Sequence, residues 1–441
     1  MTGRKLIMTF PVTADSHTLA AYRARGGYAT FEKVVRDMRP EQVTQEVAAS
    51  GLLGHGGAAF PAGRKWGVIK LNDDQPHYLC SNADEGEPGT FKDRWILENA
   101  PHLLVEGMLI AAYALQVRHA FVYIRGEFDL PYRRIAGAVD EAYAAGLLGA
   151  PIAGGGFACD IVVYRGAGSY VCGEASGLLT SLEGRKGYPR NRPPRLTVRG
   201  LYQRPTVVNN VETLANIPAI VRDGAAAFRT VGTAKSPGTQ LISISGHVKK
   251  PGVYEVEYGY PFAKFIHEDC GGIVGGGKLK CVIPGGISTK VLTAAEIEPL
   301  TLDHASVAGA GSGLGSGGMV VIAEGTCMVR LLQVLVRFYH HESCGQCTPC
   351  REGMGWMHRI VDRIVAGDGE MEDIDRLLAI SKANDGTTIC GMGDAAGYAT
   401  VGIIAKYRDE FEHWIRTGRS LHGGRLEAVD HEWTQEAVLH G

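Results

Sequence analysis

Three cysteines stand two residues apart in Glu342-Ser-Cys344-Gly-Gln-Cys347-Thr-Pro-Cys350-Arg-Glu-Gly, and Cys390 lies downstream in Thr-Thr-Ile-Cys-Gly-Met-Gly-Asp. Two-residue spacing lets one loop turn three sulfurs toward a single centre, and one distant cysteine completes a set of four thiolates. That three-plus-one division suits a cubane 4Fe–4S cluster. A structural zinc is the bland competitor, but four-cysteine zinc sites usually pair one C-x2-C with another. The other six cysteines, Cys80, Cys159, Cys172, Cys270, Cys281 and Cys327, are scattered singly. The start of the chain leads to no apolar export core, so the thiols are expected to stay reduced and a disulfide framework is the weakest reading.

A second set of candidates is glycine-rich or acidic. Gly54-His55-Gly56-Gly57-Ala58-Ala59-Phe60 leads into Arg64-Lys65-Trp66. Ala59 takes the third glycine position of a dinucleotide fingerprint and the segment follows a helix, so it is not that motif, and the P-loop spacing also fails. Its amides and Lys65 still suit an anionic cofactor, against the plain alternative of a loop between helices. Asn82-Ala-Asp84-Glu85-Gly-Glu87-Pro-Gly crowds three carboxylates at the end of an expected strand. They could bind magnesium, accept hydrogen bonds from a nucleotide's ribose and carboxamide, or form a solvated loop. Tyr170-Val-Cys-Gly173-Glu174-Ala175 and Val208-Asn209-Asn210-Val-Glu212-Thr213 are similarly polar. The Asn pair suits either a flavin or nucleotide, or helix caps.

The elements that must position these residues follow from periodicity. Helices are expected at 41–49, at 132–145 and in one long run, 95–115, with β-rich runs at 77–82, 120–124 and 160–164. Such alternation implies a parallel or mixed sheet under helices, with ligands beyond the carboxyl ends of its strands. Short strands with glycine turns follow near 241–246, 251–256 and 280–286, suggesting a small β-grasp domain. Helices at 328–340, 351–365, 373–383 and 395–415 then suggest a bundle, with the cysteine run between its first two helices. The expected division is 1–235, 236–322 and 323–441. Glycine numbers 60 of 441 residues, about twice the usual ~7%, so backbone is being placed where side chains cannot fit. With 45 Lys and Arg against 47 Asp and Glu, the chain has no broad basic face for nucleic acid and no polybasic membrane anchor. No apolar run reaches the ~18 residues of a membrane span; the stretch 103–117 is broken by Glu106 and reads as a buried helix.

Taken together and in order, these segments resemble the family of flavin-bearing, 51-kDa-type subunits of NADH-quinone oxidoreductase (respiratory complex I). The quoted motifs, with Pro205-Thr-Val-Val-Asn-Asn-Val-Glu-Thr, cover about residues 20–415. The resemblance implies a Rossmann-like α/β domain for FMN and NADH, a β-grasp (SLBB) domain, and a helical bundle carrying one 4Fe–4S cluster. It implies FMN contacts from Gly54, Gly56, Lys65, Asn82, Asp84, Glu85, Tyr170, Gly173, Glu174, Asn209, Asn210 and Thr213. NADH would meet Phe60, Glu87 and Arg192, with Glu87 and Lys65 as the catalytic pair, and Cys344, Cys347, Cys350 and Cys390 would ligate the cluster. The activity implied is hydride transfer from NADH to FMN, then one-electron transfer to the cluster and on toward quinone. The implied partners are a 24-kDa-type 2Fe–2S subunit and the large iron–sulfur subunit of the peripheral arm, on the cytoplasmic side of the inner membrane, without direct membrane insertion.

The chain departs from the family at several places. Ala175 follows Glu174 where a second glutamate is usual; Val68 and Arg195 replace aromatics; Arg192 stands for Lys and His55 for Arg. Losing one carboxylate while gaining Arg192 and Arg195 would let the site accept the 2′-phosphate of NADPH. Neutral drift at an exposed rim is the opposing reading. Two other functions remain open: the diaphorase subunit of an NAD(P)-linked hydrogenase or formate dehydrogenase, and a non-catalytic β-grasp scaffold with a structural metal.

Overall fold

The computed structural model describes residues 3–149, 151 and 156–422; the start at Met1 and the expected tail, 423–441, lie outside the described residues. Four strands form the first sheet: β1 (His77–Ala83), β2 (Val117–Ile124), β3 (Asp160–Arg165) and β4 (Thr206–Asn210). All pair in parallel, in the order β3-β2-β1-β4. β1 lies centrally and is buried over most of its length, because helices cover the sheet. The chain leaves β1 toward β2 on one side and returns as β4 on the other. That makes the carboxyl ends of β1 and β4 a topological switch point, where open α/β sheets bind ligands. Asn82 and Asn210 are register partners at that point.

The expected single helix 95–115 is two: Lys92–Asn99 and Pro101–Ala114. Pro101 has no amide to donate and disfavours helical backbone at Ala100, so the first helix stops and the proline opens the second. The second is buried nearly all round, which accounts for its apolar run. Glu106 survives inside it because its carboxylate accepts the Tyr28 and Phe31 amides at 3.0 and 3.1 Å, along with the Tyr22 hydroxyl.

The β-rich part has β5 (Thr239–Gly246), β6 (Gly252–Glu257), β7 (Tyr260–Pro261), β8 (Leu279–Ile283), β9 (Leu292–Thr293), β10 (Thr301–Leu302) and β11 (Gly318–Ala323). Five form a sheet in the order β6-β5-β11-β8-β9, with β5 and β11 parallel at its centre, while β7 and β10 pair separately. This is the expected β-grasp arrangement. The helices Met328–Glu342, Thr348–Ala366, Glu372–Asn384 and Met392–Thr417 form the C-terminal bundle around its own apolar core. An N-terminal segment straps the parts together. The amides of Leu6, Ile7 and Met8 donate to the Glu255 carboxylate on β6, while Ile7 is buried in the core of the α/β domain.

Candidate functional site

Beyond the ends of β1 and β4 lies a cleft of about 390 Å³, within the roughly 300–1,000 Å³ usual for cofactor sites. Of the sequence candidates, Gly56, Asn82, Glu85, Glu87, Tyr170, Gly173, Glu174, Asn210 and Cys390 line it. Three parts of the fold meet there. The α/β domain supplies most of the wall, Ser288 and Ser316 come from the β-grasp domain, and Cys390, Gly391, Met392 and Ala395 come from the bundle.

The carboxylates at the end of β1 have separate duties. Glu85 accepts the amides of Asp93 and Arg94 at 2.7 and 2.9 Å, capping helix Lys92–Asn99, which has no side-chain cap from Phe91. Burial, and then the charge of Asp93, push its carboxyl up. Glu87 accepts the Tyr170 hydroxyl at 2.5 Å and the Ser288 amide at 2.8 Å. It joins the α/β domain to the β-grasp domain, and burial raises its pKa. Asp84 is only 2% exposed, yet its carboxyl makes no hydrogen bond among the described residues. Burial, reinforced by Glu127 and Glu342 against the pull of Arg125, pushes it to about 7. Its Oδ2 lies 3.1 and 3.3 Å from where side chains at Gly86 and Gly173 would begin. Glycine there leaves room beside an unpartnered carboxyl that can donate or accept a hydrogen bond.

The floor holds a buried charge cluster whose members lie within the sequence motifs without standing out there. Lys92 Nζ is 2.8 Å from Asp93 Oδ1 and 2.7 Å from Glu212 Oε2, with all three buried. Burial opposes the Lys92 charge, but Asp93, Glu212 and Glu85 outweigh it and hold its pKa above the usual range. Glu212 Oε1 also accepts the Leu241 amide of β5 at 2.7 Å, so the cluster fastens the β-grasp domain beneath the cleft. His55 lies alongside, its ring nitrogen 3.1 Å from the Thr239 carbonyl; burial, and then Lys92, lower its pKa to about 4, so its ring is neutral.

The Asn pair divides between the two roles left open. Asn210 caps helix Val211–Ala215 through the Glu212 and Thr213 amides, while its amide donates to Asp93 at 2.5 Å and it lines the cleft. Asn209 accepts the indole N–H of buried Trp66 at 3.0 Å and lies behind the wall. Lys65 donates to the Val208 carbonyl at 2.8 Å; burial, then Arg192, lower its pKa to about 8. Thr213 accepts the His55 amide, and the Gly54 amide donates to the Phe60 carbonyl. Gly54, Asn209, Lys65 and Thr213 thus hold the wall from behind, while the Phe60 ring stands exposed with the Arg64 guanidinium 5.8 Å from its centre. Glu174 caps helix Ala175–Leu182 and pairs with Arg192 at 2.5 Å. Arg192 is therefore already engaged by a carboxylate, which weakens the expectation that it serves a 2′-phosphate. Ala59, at the third glycine position, has left-handed backbone at φ 48°.

Cys344 and Cys347 lie between the first two bundle helices, Cys350 in the first turn of the second, and Cys390 just before the last. They are close enough to act on one another. Burial, opposed by the Ser343 hydroxyl, and then Cys347 and Cys344 push the Cys350 thiol to about 11; burial, and then Glu174, Cys344 and Cys350, do the same to Cys390. Among the described residues no group of three or more Cys, His, Asp or Glu is drawn together enough for a single metal ion. A cubane spreads its ligating sulfurs over a larger polyhedron than one ion does, and thiolate donors are what it requires. The donor set fits that group.

Comparison with known proteins gives the same three parts. Residues 47–219 match the Nuo51 FMN-binding domain, residues 240–320 the SLBB domain, and residues 330–414 the NADH-ubiquinone oxidoreductase-F iron-sulfur binding region. The second F subunit of NADH-quinone oxidoreductase in Rhizobium meliloti (strain 1021) is 47% identical over 405 residues, covering 92% of this chain and 96% of that protein. The F subunit of the Mycobacterium tuberculosis enzyme (strain ATCC 25618 / H37Rv) is 47% identical over 411 residues, 92% of each. Among solved structures, a chain of an NAD+-reducing NiFe-hydrogenase in the air-oxidised state superposes with a TM-score of 0.81 at 35% identity, covering 90% of this chain and 67% of that one.

Proposed function

The chain belongs to the family of NADH-quinone oxidoreductase F subunits, and on that premise we propose that its inner cleft holds FMN together with the reacting end of NADH. The protein is the NADH-oxidising flavoprotein subunit of such an enzyme: bound FMN supplies the hydride acceptor, and one 4Fe–4S cluster supplies the single-electron exit toward quinone. One observation carries the placement. Cys390, a member of the four-cysteine set, lines the same cleft as Tyr170, Gly173 and Glu87.

The chain's own residues then have distinct tasks. Asp84 and Asn82 face a ring and its polar chain across Gly86 and Gly173. Asn210 and the Gly56 backbone, backed by Lys92, hold the anionic end. Glu87, fixed by Tyr170 and Ser288, orients the nicotinamide portion and is the residue that touches substrate. Lys65 acts through the end of β4, positioning Asn209 and Asn210. Cys344, Cys347, Cys350 and Cys390 ligate the cluster, their thiol protons leaving as the metal binds. We take the domains as 1–235, 236–322 and 323–441, supported by the spans of the three family matches.

As a member of that family, the chain is part of a complex I-type assembly. We propose that its neighbours are the 24-kDa-type 2Fe–2S subunit and the large iron–sulfur subunit, which hold it at the cytoplasmic face of the inner membrane. No helix among the described residues is long and apolar enough to cross a membrane. The hydrogenase likeness favours one second reading, a diaphorase subunit working beside a metal-containing catalytic partner. Anaerobic purification tests both. FMN and iron in a ratio of one to four, NADH:ferricyanide activity and co-purifying membrane subunits support the first reading. Co-purifying nickel or molybdenum subunits would favour the second, and protein without flavin would defeat both.

A further inference from the structure

Among the described residues the bundle and the α/β domain share a single hydrogen bond. Glu342, the last residue of helix Met328–Glu342 and two before Cys344, accepts the Tyr170 amide at 3.0 Å through Oε2. That amide opens the tight turn Tyr170–Gly173, where Ser169 supplies no side-chain cap, so a carboxylate from another domain takes the place. The same helix grips the Tyr170 ring: Phe338 and Tyr339 meet it edge-on, with centroids 5.2 and 6.4 Å away. From there the Tyr170 hydroxyl donates to Glu87 in the inner cleft at 2.5 Å. At the end of the turn the Gly173 carbonyl accepts the Asn82 side-chain amide at 2.8 Å. The last turn of the helix that delivers Cys344 is thus clamped to the wall of the cleft.

The Glu342 charge is little spent within the protein. It has no lysine or arginine partner among the described residues, and its other oxygen meets only the exposed His341 ring, 3.1 Å away. Glu174 also reaches Cys390, but it is paired with Arg192 and accepts the Ser176 and Gly177 amides. Glu342 is felt on the cleft side too: beyond the burial that does most to raise Asp84, Glu127 and Glu342 add to the push. We propose that Glu342 is a positioning residue for the electron's exit: its grip on Tyr170 sets the cysteine loop against the cleft wall, and its charge sets how readily the cluster is reduced. The inference rests on the reading of the cleft as the FMN site and of the cysteines as the 4Fe–4S site, and deepens it. The step at issue passes one electron, supplied by NADH, from reduced FMN to the cluster. FMN is left one unit less negative and the cluster becomes one unit more negative. A fixed carboxylate beside the cysteine loop opposes that gain, and its partial burial leaves the repulsion only partly screened.

Dye-mediated redox titration of the flavin- and cluster-loaded protein, followed by electron paramagnetic resonance, reads the cluster's potential without any turnover. Glu342→Gln keeps an oxygen for the Tyr170 amide and removes the charge. It should favour the reduced cluster by about tenfold, or ~59 mV for a one-electron couple, with no slowing of cluster reduction by NADH in stopped flow. Glu342→Asp keeps the charge and should titrate with wild type. Glu342→Ala removes charge and grip together: it should share the raised potential yet reduce its cluster more slowly than Glu342→Gln. Loss of the cluster from Glu342→Ala alone, with Glu342→Gln retaining it, also supports the grip. A wild-type potential in Glu342→Gln, or equal shifts in Glu342→Gln and Glu342→Asp, overturns the role of the charge. Equal reduction rates in Glu342→Ala and Glu342→Gln overturn the positioning. Wild-type protein that holds no flavin or gives no 4Fe–4S signal would instead defeat the reading on which the inference rests.

Discussion

Around the inner cleft most of the buried polar side chains are committed before any ligand arrives. Glu85 caps one helix and Asn210 another, Glu87 ties two domains, and Lys92 is flanked by two carboxylates; among the described residues the Asp84 carboxyl and His55 Nδ1 are left without a hydrogen-bond partner. The four cysteines across the shared wall at Cys390 are the reverse: they influence one another, but burial and mutual proximity push Cys350 and Cys390 up. The cleft is rigid because its polar groups hold one another. The cysteine site gains its organisation when a cluster replaces thiol protons with metal–sulfur bonds. One region is preorganised by protein and the other by cofactor, and substitutions on either side can break that contrast.

The largest effect is expected at the shared wall. Cys390→Ser withdraws one thiolate from the cluster while leaving a small polar group facing the cleft. Electron paramagnetic resonance of the reduced protein should then lose or convert the 4Fe–4S signal, while bound FMN stays near the wild-type amount. A wild-type cluster spectrum in this variant would refute the three-plus-one ligand set. Equal loss of flavin and cluster would show that the two regions are not independently organised.

The next effect is in the floor. Lys92→Met leaves Asp93 and Glu212 buried without their counter-charge, which costs about 3–5 kcal/mol. Urea unfolding should show that loss. FMN retention should fall with it, because Glu212 also receives the Leu241 amide from the β-grasp domain. A midpoint within error of wild type would mean the cluster contributes nothing to holding the domains together.

How far this was legible in the sequence differs between the same two regions. Three of the four cysteines form a local pattern, with two residues between each and the next, and could be read directly; Cys390 followed as the one cysteine downstream. The strands and bundle helices followed from periodicity, except at Pro101, where unbroken apolar content hid a boundary that the proline imposes. The cleft was legible only as a collection of polar segments. Lys92 and Glu212 lie far apart in the chain, and what makes them a cluster is a tertiary meeting under β5 that no spacing rule encodes. The Lys-Asp pair opening a helix just after three carboxylates was the available signal. Asn209 and Asn210 read alike in sequence, yet strand alternation sends one to Trp66 behind the sheet and the other to the cleft.

A smaller effect separates the unpartnered carboxyl of Asp84, beside Gly86 and Gly173, from its committed neighbours. Asp84 titrates near 7 when folded against an ordinary 3.8. The folded state therefore keeps a proton that the unfolded chain releases between those values, and stability falls as pH rises through that window. By linkage the loss is on the order of 2–4 kcal/mol, complete above about pH 7. Asp84→Asn removes the titration, so thermal melts of flavin-free protein should show a flatter decline from pH 5 to pH 8 and a higher midpoint at pH 8. Identical slopes in variant and wild type would show that Asp84 is already partnered.

The smallest effect concerns cofactor choice at the rim. Glu174 is held by the Ser176 and Gly177 amides and by Arg192, so its charge is largely spent within the protein, and Ala175 adds none. Little negative charge remains there to repel a 2′-phosphate, but Arg192 is not free to attract one. The expectation is therefore weak tolerance of NADPH, not preference for it. Ala175→Glu restores a carboxylate whose partner, Arg192, is already taken. That uncompensated charge should lower kcat/KM for NADPH several-fold while changing the NADH value less than twofold, since each exposed charge contact contributes only about 0.2–1 kcal/mol. Parallel kinetics with the two donors decide it. Undetectable NADPH oxidation in wild type and variant alike would show that discrimination is set elsewhere.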